Sequence, residues 1–332
     1  SLSSESWNTT MNRTFLRNLL ITSKLFITAE AYAAAMMECF PLLDQKNPVP
    51  GSFFFLSDPP TYKDQVDKAV AKLKREIACT AELKSVSLTN DFSSEELPEG
   101  SIAYHRIWGT ITSNSSWYFS SKQFERDLIA AESNPSISVH FLHINSGGGE
   151  AWYLDRLSET MHSLKKPVEV LVEQYCASAG YYIACHSANG IHALTKNDQI
   201  GCIGTMISFY DFSAYYEKLG IKLIQEKSSL SPLKNKKFED LRAGHPEQYI
   251  KEVLDPLTVQ FLNEVKSSRP KLANLSEDDP VFQGETFDAQ HSIDKGLIDS
   301  VMTLPEAIAH ANSRGQEYLD SISLRNKINQ YV

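Results

Sequence analysis

The sequence predicts an α/β fold from about Ser101 onwards, because apolar strands and amphipathic helices alternate along that part of the chain. Two strands, SISVHFLHI (136–144) and VEVLVEQYC (168–176), flank the helix AWYLDRLSETMHSLKK (151–166). Strands and helices that alternate at these lengths build a mostly parallel sheet through right-handed crossovers. A hydrophobic content of 42% in 332 residues provides ample material for its core.

Before this domain, the sequence predicts an α-helical N-terminal extension over residues 1–95. Residues 1–46 carry apolar residues at helical spacing and are predicted to form one or two helices. A strongly amphipathic helix is predicted over 61–83, where one face carries Val66, Val70, Leu73 and Ile77. The acidic, turn-rich segment SSEELPEG (93–100) indicates the boundary, so the α/β domain is predicted over 96–312.

The remaining elements of the domain are predicted from their apolar patterns and flanking turn residues. The predicted strands are 101–112, 191–194, 201–212 and 221–227, and the predicted helices are 120–135, 179–188, the end of a helix at 215–220, 245–269 and 304–315. Residues 281–299 have the pattern of a strand, a turn and a helix that ends in a glycine cap. A polar C-terminal tail is predicted over 313–332.

Charge and composition exclude several classes of function. The net charge of −9 argues against electrostatic binding of nucleic acid. The histidines show no HExxH spacing and the cysteines no CxxC pair, so neither a metal site nor a cofactor is expected. The five cysteines are predicted to be reduced and buried in a cytoplasmic setting: Cys39, Cys79, Cys176, Cys185 and Cys202.

The sequence predicts neither a signal peptide nor a membrane-spanning helix. The best candidate for such a helix, residues 19–40, is interrupted by Lys24, Glu30 and Glu38. It lacks the run of about 18 uncharged apolar residues that a bilayer requires. The stretch is therefore predicted to be an amphipathic helix that packs on another protein surface.

A single serine stands where the strand 168–176 switches to a small-residue helix. Ser178 is flanked by Ala177, Ala179 and Gly180, which allow another backbone to come close to the hydroxyl. A helix that begins here directs free N–H groups and the positive end of its dipole at the serine. Strand, sharp turn and helix is the usual presentation of a nucleophilic serine. Taken alone, the pattern also suits a buried helix start that is capped by a serine.

Three consecutive glycines in INSGGGEAW (144–152) follow the strand 136–144 and precede a helix. Such a turn can direct backbone N–H groups into a cleft. It could hold a phosphate, but it lacks the Lys-Ser/Thr of a P-loop and the full GxGxxG spacing. Beside Ser178 it predicts an oxyanion hole, with one N–H donor from the Gly147–Gly149 turn and one from Ala179.

A nucleophilic serine also requires a general base. His186 lies two helical turns beyond Ser178 and is expected to be packed, whereas His143 precedes the glycine turn on its strand. The loop-like segment 224–241 offers Lys227, Lys234, Lys236 and Lys237. This segment is either a solvated basic loop or the source of a lysine whose pKa is lowered by burial until it can accept a proton.

From about Ser101 to Ala311 the sequence resembles the signal peptide peptidase A family of Ser-Lys peptidases. "INSGGGE" is similar to the family's D-S-P-G-G turn, and "CASAGYYIAC" is similar to its A-A-S-G-G-Y-Y nucleophile segment. "IAYHRIWGTI", "IGCIGTM", "KLGIK" and "FQGETFDAQHSIDKGLID" resemble further family segments in the same order. The resemblance implies that Ser178 is the nucleophile and that the oxyanion donors are Gly148, Gly149 and Ala179.

The lysine motif matches the family least well. When the family's G-x-x-K-D pattern is aligned without a gap, Pro232 falls at the catalytic position. An alignment with a two-residue insertion places Lys234 there instead. Lys234 is therefore the predicted general base, with Lys236 and Lys227 as the alternatives.

Two other positions depart from the family pattern. Gly147 replaces the usual proline of the turn, which leaves the N–H donors of Gly148 and Gly149 in place. Cys202 stands where the family has a serine near the lysine, so the group that orients the base differs. The related Clp enzymes use a histidine after the nucleophile helix, and the absence of one at 202–204 favours a lysine.

The resemblance implies a Clp/crotonase-type domain of repeated β-β-α units that assembles into ring-like homo-oligomers. It implies a serine endopeptidase that acts on polypeptides, closest to the soluble phage or prophage head-maturation branch and located in the cytoplasm or a phage prohead. The N-terminal extension is then an assembly arm. One alternative is a catalytically inactive relative that acts in assembly. Another is an acyl-CoA enzyme on the related crotonase scaffold, which has no need of a serine at a helix start.

Overall fold

The computed structural model describes residues 60–331 and the backbone of Leu25–Ile27. Within these residues, twelve strands form two sheets. The strands are β1 (Leu25–Ile27), β2 (Leu88–Thr89), β3 (Ser101–Trp108), β4 (Ile111–Thr112), β5 (Phe119–Ser120), β6 (Ile137–Ser146), β7 (Gly148–Glu150), β8 (Val168–Ala177), β9 (Ile191–Ala193), β10 (Gln199–Gly201), β11 (Thr286–Phe287) and β12 (Ser300–Val301).

The larger sheet has eight strands and is mostly parallel. The order of its main strands is β11-β10-β8-β6-β3-β2. Strand β9 pairs with the first half of β8, and β12 pairs with β9. In this sheet β11 runs antiparallel to β10, and the other described pairs are parallel. The smaller sheet has the order β1-β7-β4-β5. The predicted α/β fold with a mostly parallel sheet is confirmed.

Helices connect most of these strands. They are α1 (Tyr62–Cys79), α2 (Ser121–Ser133), α3 (Leu154–Ser163), α4 (Ala179–Ala184), α5 (Ser213–Lys218), α6 (Lys236–Arg242), α7 (Glu247–Tyr249), α8 (Asp255–Ser268), α9 (Ala289–Lys295) and α10 (Leu304–Gln330). A π-helical turn, Ile250–Leu254, joins α7 to α8, so the predicted helix over 245–269 is present with one widened turn. The predicted closing helix over 304–315 continues to Gln330, through most of the stretch predicted as a tail.

Helices cover both faces of the larger sheet. On β6, Leu142 and Ile144 belong to an apolar cluster that contains residues of α2, α3, α4 and α8. The alternate residues Val139 and Phe141 belong to a second cluster, which contains residues of α1 and α10. Side chains on a strand point alternately to the two faces, so a strand that is buried on both sides is apolar almost throughout. This explains the nearly continuous apolar runs in the sequence.

The amphipathic helix predicted over 61–83 is present as α1. Thr61 begins it with a capping box, in which the Thr61 hydroxyl accepts from the Asp64 N–H and the Asp64 carboxylate accepts from the Thr61 N–H. Val70, Leu73 and Ile77 are buried in the second cluster. Although α1 lies within the predicted N-terminal extension, it packs against the larger sheet.

Residues 25–27 form a strand, where the sequence predicted a helix over 19–40. They run antiparallel to β7, which pairs with β4 on its other side. An unpaired strand edge offers a row of N–H and C=O groups, and a short extended segment that pairs with it satisfies both backbones. The other helices predicted within 1–46 lie outside the described residues.

The prediction of strands over 201–212 and 221–227 is wrong. The strand β10 ends at Gly201 because Gly201 and Cys202 have positive φ angles of 117° and 55°, which a continuous strand does not accommodate. Residues 221–227 have the alternating pattern of a strand, but they pair with no strand among the described residues. An extended segment needs a partner strand for its backbone groups.

The cysteines are less uniformly buried than predicted. Cys176 and Cys185 are buried, and burial raises the pKa of both thiols. Cys79 is exposed because it is the last residue of α1 and lies outside the buried face of that helix. Cys202 is half-buried. Cys39 lies outside the described residues.

Among the described residues, none of the helices combines the length and the apolar character that crossing a bilayer requires.

Candidate active site

Ser178 occupies a sharp corner between β8 and α4, as the sequence predicted. Its backbone angles, φ 56° and ψ −121°, lie in a region that residues with a side chain rarely adopt. The Ser178 N–H donates to the carbonyl of Gly201 at 2.7 Å, and the Ser178 carbonyl accepts from Tyr182 at 2.9 Å. Both hydrogen bonds hold the strained conformation in place.

The hydroxyl of Ser178 has no hydrogen-bond partner among the described residues. The residue is 1% exposed, so the hydroxyl is shielded from bulk solvent. A buried polar atom without a protein partner is uncommon, and a reacting group that is held ready is one reason for it. The alternative interpretation, a serine that caps the helix, is not supported, since the side chain makes no capping hydrogen bond to α4.

Small residues around Ser178 bring two strand ends together. The carboxyl ends of β6 and β8 lie side by side, with Ser146 paired to Cys176. A Cβ atom added to Gly180 would lie 3.2 Å from the Ser146 carbonyl oxygen, closer than most Cβ contacts. The strand that leads into the glycine turn therefore comes close to the backbone of α4 at Gly180, two residues after Ser178.

The glycine turn forms β7, which lies beside α4. Gly148 has a φ of 110°, which favours glycine, and its N–H donates to Ser146 Oγ at 3.1 Å. At Gly149 an added Cβ would lie 2.0 Å from the carbonyl oxygen of Ile111, because β7 and β4 pair at this residue. The positive φ at Gly148 and the close backbone contact at Gly149 thus both favour glycine over any residue with a side chain. Ala179, the third predicted oxyanion donor, is the first residue of α4.

A strand from the N-terminal part of the chain lies along β7. Leu25 pairs with Glu150, Phe26 with Gly149, and Ile27 with Gly148. The edge of β7 that is not bound to β4 therefore accepts an extended peptide backbone in antiparallel orientation.

Neither histidine considered as a base is available to Ser178. His143 is buried between Tyr104, whose hydroxyl lies 2.7 Å from Nδ1, and Glu173, whose carboxylate lies 2.8 Å from Nε2. Burial lowers the pKa of His143 although Glu173 opposes this. His186 is packed, as predicted, and its Nε2 lies 2.7 Å from Glu264.

None of the lysines of the segment 224–241 forms a hydrogen bond with the Ser178 hydroxyl. Lys234 is exposed and is not bonded to the Ser178 hydroxyl. The two alternatives are ion-paired: Lys236 Nζ lies 2.6 Å from Asp240, and Lys227 Nζ lies 2.5 Å from Glu239. Burial lowers the pKa of Lys166, but this residue precedes β8 and so lies about 30 Å from Ser178 along that ten-residue strand.

The lysines belong to a long excursion, residues 205–254, that we call the lysine arm. The arm exposes many large apolar side chains: Tyr210, Phe212, Tyr215, Tyr216, Leu219, Ile221, Leu223, Ile224, Leu230, Leu233 and Ile250. Leu230 is 93% exposed and Ile224 86% exposed. An apolar surface of this extent is typical of a protein–protein contact.

Sequence reasoning missed the residues that shape the end of β8. The pairing register between β6 and β8 shifts at Asn145, and β8 forms a bulge at Gln174, which has a φ of 67°. The Gln174 N–H donates to Asp198, whose carboxylate also accepts from the N–H and the hydroxyl of Thr195. The signal that points to this support is the Thr-x-x-Asp spacing directly after the strand 191–194.

The fold and the corner define a class: an α/β protein that presents a buried serine between a strand and a helix, beside a glycine-rich strand. The model of peptidase family S49 matches residues 161–317, a range that runs from α3 into α10 and contains Ser178 and the lysine arm. This match agrees with the predicted resemblance to signal peptide peptidase A and indicates a serine peptidase. A search of the curated proteins found no match to the chain.

Proposed function

We propose that the protein is a serine endopeptidase with a Ser178 nucleophile and a Lys234 general base. The observation that carries the proposal is the Ser178 hydroxyl, which is buried, has no partner among the described residues and is held at a strained strand–helix corner. Strain at such a corner persists only where the surrounding structure enforces it, and it concentrates at functional sites. The match to peptidase family S49 over residues 161–317 supports the same chemistry.

The proposed reaction follows acyl transfer. Ser178 Oγ attacks the peptide carbonyl carbon while its proton passes to the neutral amine of Lys234. The proposed oxyanion donors are the N–H groups of Gly148, Gly149 and Ala179, and the Gly148 N–H must first leave Ser146 Oγ, to which it donates in this structure. One such donor typically contributes about 3 kcal/mol to transition-state stability. The C–N bond then breaks, the leaving amine takes the proton from Lys234, and water hydrolyses the acyl-enzyme.

We propose that the catalytic lysine comes from a neighbouring subunit in a ring-like homo-oligomer of Clp/crotonase-type domains. The lysine arm carries both the candidate lysines and the exposed apolar side chains, so the contact that covers the arm also moves its lysines. Burial at that contact would favour the neutral amine that a general base requires.

We propose that the polypeptide substrate adds as a strand to the edge of β7. Main-chain hydrogen bonds then hold the peptide, and its scissile carbonyl lies between the glycine turn and Ser178. The pairing of β1 with the same edge supports this mode, because it involves the same backbone groups. The substrate must therefore displace β1.

We place the protein with the soluble phage or prophage head-maturation enzymes, which process capsid or scaffold proteins, or with cytoplasmic peptide-degrading relatives. Residues 1–95 are proposed as an assembly arm although α1 packs against the larger sheet, 96–312 as the peptidase domain, and 313–332 as a largely helical C-terminal tail. The alternative is an inactive relative that acts in assembly, and it is favoured by the ion pairs that occupy Lys227 and Lys236 in a single chain.

The test compares two serine-to-alanine variants. Ser178→Ala is expected to abolish casein hydrolysis, with a loss of about 10³-fold or more, without lowering the thermal unfolding temperature. Ser121→Ala is the matched control, because the Ser121 hydroxyl is also buried and pairs with nothing in the described part of the chain, but lies at the start of α2. Undiminished turnover by Ser178→Ala would eliminate the proposal.

Alanine substitutions of Lys234, Lys236 and Lys227, made singly, identify the base. Loss of turnover in Lys234→Ala alone is the expected result. If no substitution changes turnover, or the wild type has none, the assembly function replaces the enzymatic one.

A further inference from the structure

Three side chains of the types that commonly bind metal ions converge beyond the end of α4, the helix that follows Ser178. His186 follows α4, His162 lies in the last turn of α3, and Glu264 lies on α8. Glu264 Oε1 lies 2.7 Å from His186 Nε2 and 2.5 Å from His162 Nε2. A single carboxylate oxygen therefore meets two imidazole nitrogens.

The tautomer of His186 shows why this contact needs a cation. His186 Nδ1 lies 3.0 Å from the carbonyl oxygen of Ile183, which can only accept, so Nδ1 carries a proton. In a neutral imidazole Nε2 then holds a lone pair, and that lone pair faces the carboxylate of Glu264. A second proton or a metal ion must lie between them. A carbonyl that accepts from Nδ1 is also the usual way in which proteins orient a histidine that binds metal through Nε2.

Burial and geometry suit a divalent ion. The His186 side chain is only 2% exposed, and one oxygen of the Glu264 carboxylate meets both imidazole Nε2 atoms. One divalent ion can bind both nitrogen lone pairs and the carboxylate. The His162 side chain is 48% exposed and leaves a path for the ion.

We propose that His162, His186 and Glu264 bind one Zn²⁺ ion, with water as the fourth ligand. Zinc binds imidazole nitrogen and carboxylate oxygen at about 2.0–2.2 Å, so ligand atoms in a tetrahedral site lie about 3.3 Å apart. The three ligand atoms already lie within 4.8 Å of one another. The two contacts to Glu264 need to lengthen by only about 0.6–0.8 Å to reach this geometry.

The position of the site defines its role. His186 lies eight residues after Ser178, so a helical rise of about 1.5 Å per residue places the ion about 12 Å from the serine. At this distance the ion does not act on the hydroxyl. It ties α3 and α8 to the helix that carries the nucleophile and stabilises that helix.

No spacing rule applied to the sequence could find this site, because its ligands come from three separate elements. The expectation of no metal site rested on the absence of HExxH and CxxC patterns, which detect only ligands close together in the chain.

A second cluster, made of Glu169, His192 and His310, is less suited to a cation. The guanidinium of Arg314 lies 3.4 Å from Glu169 Oε1, and its fixed positive charge opposes a metal ion there. This cluster provides an internal control for the zinc site.

The test is zinc binding to the full chain after treatment with a chelator, measured by calorimetry and by the visible absorption of the Co²⁺ form. We expect one equivalent per chain. Glu264→Gln and His162→Ala should each weaken binding by about 10-fold or more. The half-exposed position of His162 makes His162→Ala compatible with folding. His310→Ala, in the second cluster, and His291→Ala, at an exposed histidine, should bind zinc like the wild type. Absence of zinc binding, or undiminished binding in both Glu264→Gln and His162→Ala, overturns the proposal.

Discussion

The backbone N–H of Ser178 donates a hydrogen bond to the carbonyl of Gly201, with 2.7 Å between the two atoms. This bond joins the end of β8 to the end of β10, where the next residue, Cys202, donates through its N–H to Glu285. Ser178 and Cys202 both have positive φ angles, 56° and 55°. Two neighbouring strands therefore end in strained residues, and the hydrogen bonds between segments sustain the strain.

The strain at Ser178 predicts that glycine stabilises this position. Such backbone angles destabilise a residue with a side chain by about 1–3 kcal/mol, whereas glycine adopts them without this cost. Ser178→Gly should therefore have a free energy of unfolding about 1 kcal/mol higher than Ser178→Ala. Urea denaturation of the two inactive variants measures the difference.

Ser121 provides the matched comparison, because it lies in α2 with helical backbone. There the order should reverse, since glycine is less stable than alanine in a helix. An equal preference for alanine at both positions contradicts the strained corner.

Gly149 is expected to tolerate no side chain. An added Cβ would lie 2.0 Å from the carbonyl oxygen of Ile111, which belongs to the paired strand β4 and cannot move freely. Gly149→Ala should lower the free energy of unfolding by about 1–3 kcal/mol and reduce peptide turnover. Gly204→Ala is the control, because the nearest atom to its added Cβ is at an ordinary 3.7 Å. Denaturation and casein hydrolysis of both variants give the comparison, and similar stability for the two would be evidence against the β4–β7 packing.

Local patterns predicted the parts of the fold that depend on local physics. The apolar runs of β6 and β8, the small residues around Ser178 and the amphipathic α1 all follow from burial and periodicity within one segment. The corner at Ser178 was predictable because strand, small residues and helix are contiguous in the chain.

The errors arose where a distant partner decides the structure. Residues 25–27 have a helical periodicity, but the free edge of β7, more than a hundred residues later, makes them a strand. Residues 221–227 have a strand pattern and yet find no partner strand within the described chain. The Asp198 carboxylate that supports the bulge at Gln174 was missed for the same reason. The base stays a prediction, because Lys234 is exposed in the described chain and is proposed to be buried only at a contact between subunits.

Release of β1 from β7 is expected to raise peptidase activity, because the substrate is proposed to use the same edge. Hydrogen-bonded residues alternate along an antiparallel strand, so one of Leu25 and Phe26 must donate to β7. Proline has no N–H, and the double variant Leu25→Pro/Phe26→Pro therefore removes at least one of these bonds. We expect a KM several-fold lower for a peptide substrate.

The control is Leu25→Ala/Phe26→Ala, which keeps both N–H donors. If the proline and alanine pairs have the same KM, the substrate does not compete with β1.

Stability should fall at mildly acidic pH because buried histidines are held neutral, among them His105 and His140. Burial lowers the pKa of His105 well below 6.5, assisted by His140, and burial also lowers the pKa of His140 against the opposing effect of Glu132. Below pH 6.5 the unfolded chain therefore binds protons that the folded chain does not. The stabilisation is complete above this pH and decreases as the pH falls towards the folded-state values, by about 1.4 kcal/mol per pH unit for each proton.

Urea denaturation between pH 7.5 and 5 measures this slope. His105→Gln should reduce it by about one proton, since the substituted side chain does not titrate. A free energy of unfolding that stays constant from pH 7 to 5.5 would show that neither histidine is held neutral.

Mixing two inactive variants tests whether the site is shared between subunits. Ser178→Ala retains Lys234, and Lys234→Ala retains Ser178, so a lysine that crosses to the neighbouring subunit restores some complete sites. In a ring assembled at random from equal amounts, about one quarter of the sites combine an intact serine with an intact lysine. We expect about one quarter of the wild-type turnover after the two variants are unfolded, mixed and reassembled. The same mixture without subunit exchange is the control and should stay inactive. A mixture that remains inactive after exchange would place the lysine in the same chain as its serine. Full activity of Lys234→Ala alone would transfer the role of the base to Lys236 or Lys227.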